Sequence, residues 1–161
     1  MQPFDIKLSY NGKPWTTVQL EIGHNELGDA DEPDFAIASD VGMLFEKVGL
    51  PAPKQTPLMP LHFQIAQKLH GLSEARSRRA HDLIDLQIIA RLGDIDYLKT
   101  KETCIRLFAY RKLQAWPPVV RENEGWGTLN SDQIGDLDVL PTVAEAIDWV
   151  NELIARIDNV K

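Results

Sequence analysis

The chain has 161 residues, of which 43% are hydrophobic, so it can bury one core of ordinary domain size and does not suggest two large domains. Its 24 acidic and 17 basic residues give a formal net charge of -7, which excludes the broad basic surface that attracts duplex DNA. A nucleic-acid partner would therefore have to bind a local basic patch.

Two short segments near the N-terminus are rich in β-branched and aromatic residues, and they flank an Asn-Gly pair that favours a tight turn. These segments, residues 4–10 and 15–22, predict a β-hairpin. Because side chains alternate along a strand, the apolar residues of the second segment would share one face. Glu21 would then lie on the opposite, polar face.

The next segments predict a mixture of loop, strand and short helix. An acidic stretch, residues 25–34, is rich in turn-forming residues and predicts a surface loop. A further strand over 35–39 and a short helix over 41–48 are expected to follow. Four prolines in residues 51–60 interrupt regular structure and predict a linker into a helical half.

Helical periodicity begins at Leu61 and continues through Ile65, Leu69 and Leu72 on one apolar stripe. Helices are predicted over residues 61–75, 79–92, 98–113 and 143–157. The fold class expected is α+β, with a small N-terminal sheet in residues 1–58 followed by a bundle of about four helices in 59–161. The two parts are expected to form one compact unit.

An irregular segment separates the last two predicted helices. Residues 116–140 contain prolines, glycines and several Asp and Asn residues, and they predict a long surface excursion. Trp116 and Trp126 in this segment are expected to anchor it to the core, the alternative being that they stack on a base.

Cysteine and histidine usage argues against disulfides and structural zinc. Cys104 is the only cysteine, and the four histidines do not have metal-ligand spacing, so they are read as surface or helix-packing residues. The first residues lack the apolar run of a signal peptide, and no stretch approaches the roughly 18 apolar residues of a membrane span. The sequence therefore predicts a cytoplasmic protein without a membrane partner.

Two aspartates on the helix over 79–92 raise the main question about function. At about 100° per residue, Asp82 and Asp85 lie about 60° apart, on the side opposite Gln87 and Arg91. If that opposite side faces solvent, both carboxylates face inward, where an unpaired charge is costly. Lys68, beside the apolar stripe of the preceding helix, is the candidate partner. Such a group is either a structural salt-bridge network or a catalytic one, and the spacing alone does not decide.

The run from Met59 to Ala90 resembles the signature of the AbiEii/AbiGii nucleotidyltransferase toxins, in which a Lys-Leu-His element precedes an Arg-rich turn and an Asp-Leu-x-Asp helix. The resemblance implies a transferase of the polymerase β type. Such an enzyme moves a nucleoside monophosphate from a nucleoside triphosphate to an acceptor, here a tRNA or a protein hydroxyl. It also implies an antitoxin protein as partner and Mg²⁺ as cofactor.

The resemblance implies roles residue by residue. Lys68 matches the family lysine that contacts nucleotide phosphate, and Arg78 and Arg79 occupy the basic turn expected to help bind the nucleotide. Asp82 matches the first aspartate, which is implied to be the general base or an orienting carboxylate. Asp85 matches the second, which is implied to be an orienting or structural group.

The family pattern also has a front half, a Gly-rich strand-turn-helix followed by an Asp-x-Asp strand, and that combination does not occur in the sequence. We therefore expect the chain to correspond to the C-terminal portion of a family member and to be inactive alone. Mg²⁺ is then expected only together with the front half, with Glu21 as a candidate ligand or, alternatively, a solvated strand residue. The alternative for the whole chain is a non-catalytic helical module that binds a partner such as an antitoxin.

Overall fold

The computed structural model of the chain describes residues 2–28, 31–127 and 137–161. The elements are, in chain order, β1 (Gln2–Tyr10), β2 (Lys13–Ile22), β3 (Asp34–Ala36), α1 (Ser39–Lys47), β4 (Thr56–Leu58), α2 (Leu61–Ser73), α3 (His81–Leu92), α4 (Tyr97–Arg111) and α5 (Val143–Asp158). Two small antiparallel sheets, β1–β2 and β3–β4, accompany the helices. The predicted α+β class is confirmed, whereas the division at residue 58 stays a prediction.

The N-terminal hairpin forms as predicted. Asn11 and Gly12 have positive φ angles of 49° and 74°, which a two-residue turn of type I′ requires. The strands pair antiparallel with Phe4 opposite Leu20, so apolar side chains share one face. Among the described elements, neither strand of the hairpin contacts any strand or helix except its partner. The hairpin therefore projects from the helices as an exposed ribbon.

The second sheet differs from the predicted linker. Within residues 51–60, the strand β4 pairs antiparallel with β3, and Pro57 lies opposite Phe35. Pro57 is compatible with this pairing because each strand of a two-stranded sheet keeps one free edge, where no backbone N–H is needed. The expected strand over 35–39 is shortened because α1 begins at Ser39.

The hydrophobic core lies among α2, α3, α4 and α5. The predicted stripe of α2 is confirmed, since Ile65, Leu69 and Leu72 are fully buried. Leu61, at the start of that helix, is partly buried and packs against the same core. None of the described helices is both long enough and apolar enough to cross a membrane.

The predicted surface excursion between α4 and α5 lies partly outside the described residues, which stop at 127 and resume at 137. Its described part is attached to the core. Trp126 is fully buried, and its indole N–H donates to the carbonyl oxygen of Ser77 at 2.7 Å. Trp116 donates to the Asp158 carboxylate and packs edge-on against Phe108. The prediction that both tryptophans anchor this segment is confirmed.

His70 is a buried helix-packing residue on α2. Its ring packs edge-on against Phe108, and its Nδ1 atom lies 3.4 Å from a guanidinium nitrogen of Arg111. The Nε2 atom is buried without a hydrogen-bond partner in the described part of the chain. Burial, and then the positive charge of Arg111, lower the pKa of His70 below 6.5, against smaller opposing effects of Glu74 and Glu26.

We expect the free energy of unfolding to fall as the pH drops below the ordinary histidine pKa of 6.5. The unfolded chain then binds a proton at His70 that the folded chain still excludes, so acid favours unfolding. Urea unfolding at pH 7.5 and 5.5 measures the effect. A His70→Phe variant should lose part of the pH dependence. His62→Gln, which removes the other histidine whose pKa burial lowers, should retain the share due to His70. An unchanged pH dependence in His70→Phe would contradict the assignment.

Candidate functional site

Four charged side chains from α2, α3 and the turn between them form a cluster. The Nζ atom of Lys68 donates to Asp82 Oδ1 at 2.8 Å and to Asp85 Oδ2 at 2.5 Å. Arg79 donates through Nε to the other carboxylate oxygen of Asp82. We name these four residues the Lys68 cluster. The structure thus brings Lys68 together with both aspartates, as the helical spacing predicts, while their roles in catalysis stay predictions.

Helix geometry and a short connection place these groups together. Asp82 lies in the first turn of α3, and Asp85, three residues later, lies on the same helix face. Residues 74–80 form a short connection that packs α3 against α2, the helix that carries Lys68. The cluster therefore depends on local helical spacing and on one helix-helix contact.

Burial differs sharply within the Lys68 cluster. The side chain of Asp82 is 0% exposed, that of Lys68 is 19% exposed and that of Asp85 is 43% exposed. Because Asp82 is fully buried, its charge must be compensated by neighbours, and each of its oxygens accepts from a cation. The imidazole of His81 also lies 3.6 Å from Asp82. Asp82 is thus enclosed, whereas Asp85 remains open to solvent.

The protonation of Lys68 follows from these contacts. Burial alone would lower the pKa of Lys68, but the hydrogen bonds with Asp82 and Asp85 outweigh it and leave this pKa above its ordinary value. Lys68 is therefore an ammonium group at neutral pH and does not act as a base. An ammonium group has three N–H donors, and the two aspartates use two of them. The remaining donor can bind an anionic ligand such as a phosphate oxygen.

Gly71 provides the space that Arg79 needs to reach Asp82. A Cβ atom at position 71 would lie 2.7 Å from both Cδ and Nε of Arg79, which is closer than packing allows. Glycine inside a helix costs about 0.5–1 kcal/mol relative to alanine, so its presence here has a packing reason. In the sequence, the only indication that Gly71 makes room for another side chain is that it is a glycine inside a predicted helix.

Glu21 is not part of the Lys68 cluster. It lies on β2, where every side chain is exposed, and the hairpin contacts none of the described helices. Its exposure agrees with the alternative of a solvated strand residue. The metal-binding role of Glu21 stays a prediction that no contact in the described residues supports.

The Lys68 cluster does not fit a magnesium ion. Mg²⁺ needs carboxylate or other oxygen ligands in near-octahedral geometry, whereas both oxygens of Asp82 are already occupied by Lys68 and Arg79. Across residues 2–28, 31–127 and 137–161, no three His, Cys, Asp or Glu side chains are placed to hold a metal ion. Magnesium supported by further carboxylates therefore stays a prediction.

Arg78 does not join the Lys68 cluster. Together with Arg76 it lines a cavity of about 520 Å³, whose other walls are Asn123, Glu124 and Gly125. The two arginines predicted to bind nucleotide are thus separated, because Arg79 contacts Asp82 and Arg78 faces this cavity. We name this space the arginine cavity.

A larger cavity of about 700 Å³ lies at the start of α2 and α4. Its lining includes four aspartates and one glutamate, Asp31, Glu32, Asp34, Asp94 and Asp96. Such a lining repels phosphate, although Lys99 and Arg106 also face the cavity. It does not include any residue of the Lys68 cluster.

Comparison with known proteins places the Lys68 cluster inside a family match. A family model described as Nucleotidyl transferase AbiEii toxin, Type IV TA system, matches residues 2–152. The matched range covers the hairpin, the Lys68 cluster and the arginine cavity. No curated protein matches the chain.

Proposed function

Because the chain belongs to the AbiEii family of nucleotidyl transferase toxins, we propose that its Lys68 cluster binds the phosphates of a nucleoside triphosphate. The nucleoside monophosphate is then transferred to an RNA or protein acceptor, and the family's type IV toxin-antitoxin systems supply an antitoxin as the regulatory partner. One observation carries the proposal. The ammonium group of Lys68 is fixed between two carboxylates and keeps one N–H donor that neither of them uses.

The burial of the two aspartates separates their roles. Asp82 is enclosed and holds Lys68 and Arg79 in place, so it is a positioning residue rather than the general base. Asp85 has an accessible carboxylate and can accept a proton from an acceptor hydroxyl. In the transfer, the acceptor oxygen bonds to the α-phosphorus and the bond from that phosphorus to the bridging oxygen breaks. The hydroxyl proton passes to Asp85, and pyrophosphate leaves.

We further propose that the chain by itself binds the triphosphate without completing the transfer. Its sequence lacks a Gly-rich strand-turn-helix followed by an Asp-x-Asp strand, the carboxylates that the family resemblance requires for the metal-dependent step. The described residues also offer no alternative set of metal ligands. Binding of the triphosphate and transfer of the nucleotide can therefore be measured separately on this chain.

We expect Lys68→Gln to bind ATP with Mg²⁺ about 10- to 150-fold more weakly than the unaltered chain, because a hydrogen bond to a charged group contributes about 1.5–3 kcal/mol. Isothermal titration calorimetry measures the affinity. Lys68→Arg keeps the charge and should lose less, and Arg156→Gln removes an exposed charge from α5 and should change nothing. Equal affinities of Lys68→Gln and the unaltered chain would overturn the role of Lys68. Label transfer from radioactive ATP to RNA or protein by the chain alone would overturn its proposed inactivity.

A second candidate function is a non-catalytic module that binds an antitoxin protein. It is favoured by large apolar side chains in the first fifty residues that are more than half exposed, such as Ile22, Phe35 and Leu44. Antitoxin binding by a chain that shows no affinity for any nucleoside triphosphate would favour this module over the transferase.

A further inference from the structure

The arginine cavity contains two guanidinium groups that are not used elsewhere in the described structure. Several cations of the described chain have partners: Arg91 pairs with Asp138, and Arg111 pairs with Glu26. Lys101 donates to two carbonyl oxygens near the end of α5. By contrast, the side chains of Arg76 and Arg78 donate to no acceptor within residues 2–28, 31–127 and 137–161 and line the cavity instead.

The walls of the arginine cavity are held in place by two hydrogen bonds between distant segments. The backbone N–H of Arg76 donates to Asn123 Oδ1 at 3.0 Å, and the buried indole of Trp126 donates to Ser77. Arg76 also has a φ of +63°, a conformation that residues other than glycine seldom adopt. Strained residues held by their surroundings are concentrated at functional sites. The cavity is therefore a prearranged feature of the fold.

The chemistry of the arginine cavity fits a phosphate. Its lining has two guanidinium groups against a single carboxylate, that of Glu124, and guanidinium groups match phosphate oxygens in a two-pronged geometry. The Lys68 cluster has no net formal charge, since two cations face two anions. In a chain of net charge -7, the neighbouring arginines supply the local positive charge that a polyanion needs.

We propose that the arginine cavity binds a backbone phosphate of an RNA acceptor and so directs the RNA to the Lys68 cluster. This inference rests on the proposed function and selects RNA over protein as the acceptor class. Arg78 precedes Arg79 in the connection between α2 and α3, and Arg79 is bonded to Asp82, so this one connection links the arginine cavity to the Lys68 cluster. RNA carries phosphates at regular intervals and can occupy both sites. The phosphates of a free triphosphate are contiguous, and Lys68 binds them at a single site.

The double variant Arg76→Gln/Arg78→Gln tests the proposal through binding of a fluorescent tRNA transcript, measured by anisotropy. We expect affinity to fall about tenfold at 0.1 M KCl, and the slope of log affinity against log salt to decrease by about 1–2, because two phosphate contacts are lost. Calorimetric affinity for ATP with Mg²⁺ should stay unchanged. Lys47→Gln/Arg156→Gln removes the same charge from exposed positions on α1 and α5, and RNA affinity should then change less than about twofold.

Several results would overturn the inference: no binding of the transcript by the unaltered chain, an equal loss in the charge-matched control, or a loss of ATP affinity with RNA affinity retained. The last result would assign the cavity to the nucleotide. Failure of the Lys68 role appears separately, as unchanged ATP affinity in Lys68→Gln. Should the double variant unfold, Arg78→Gln alone, which leaves the positive-φ residue intact, is expected to lower RNA affinity about threefold. An unchanged affinity in that single variant would equally reject the proposal.

Discussion

Replacing Lys68 with methionine is expected to lower the free energy of unfolding by about 3–5 kcal/mol. Methionine keeps the length and much of the volume of the side chain but removes the ammonium group. The fully buried carboxylate of Asp82 then keeps Arg79 as its only hydrogen-bonded cation, and its Oδ1 atom loses its donor. Urea unfolding followed by circular dichroism measures the loss. Lys47→Met, an exposed residue of α1, is the control and should change stability by less than about 0.5 kcal/mol.

A double-mutant cycle extends this prediction to the pair. Asp82→Asn and Lys68→Met should each destabilise the protein, while the double variant should be less unstable than the sum of the two, by about 1–3 kcal/mol. The reason is that the double variant no longer buries a charge deprived of its partner. Strict additivity would show that Lys68 and Asp82 do not interact in solution, and it would remove the structural basis of the proposed phosphate site.

Trp126→Ala is expected to cost about 3–5 kcal/mol of stability, because it empties the site of a fully buried tryptophan. It also removes the hydrogen bond to Ser77. Trp126→Phe keeps one six-membered ring but loses the rest of the indole and its N–H donor, so a smaller cost of about 1–3 kcal/mol is expected. Trp15→Ala, at a 73% exposed position on the hairpin, should change little.

The same Trp126 variants connect stability to the arginine cavity. Residues 123–125 line the arginine cavity, and the adjoining Trp126 indole is bonded to Ser77, so Trp126→Phe, which lacks this hydrogen bond, should lower RNA affinity. Full stability of Trp126→Ala would mean that this segment is not anchored in solution. That result would contradict the prearranged wall.

The parts of the fold that depend on local spacing could be predicted from the sequence. The burial of Ile65, Leu69 and Leu72 follows from helical periodicity, and so does the convergence of Asp82 and Asp85 on one face. Each of these features depends only on the geometry of one helix and on the spacing of residues along it. Pairing with Lys68 needed one further assumption, a short connection between two helices.

The parts that depend on contacts between distant segments could not be predicted. The inward orientation of the aspartates is argued on the condition that the side of Gln87 faces solvent, yet Gln87 is half-buried and accepts from the backbone N–H of Leu140. The prolines of residues 51–60 conceal the strand β4 in the sequence, since its pairing is decided by β3, a segment distant in the chain. An angle of about 60° between two aspartates likewise does not reveal that the turn carrying Arg79 encloses Asp82 and leaves Asp85 accessible.

Gly71 has a practical consequence for anyone engineering this protein. Alanine at a helical glycine is among the first substitutions chosen to raise thermal stability, with a gain of about 1 kcal/mol from helix propensity. Here the added methyl group would displace the Arg79 side chain from Asp82. Gly71→Ala would thus favour the helical conformation of α2 but weaken the neutralisation of the Asp82 carboxylate. Thermostability and ligand affinity are therefore expected to change in opposite directions at this position.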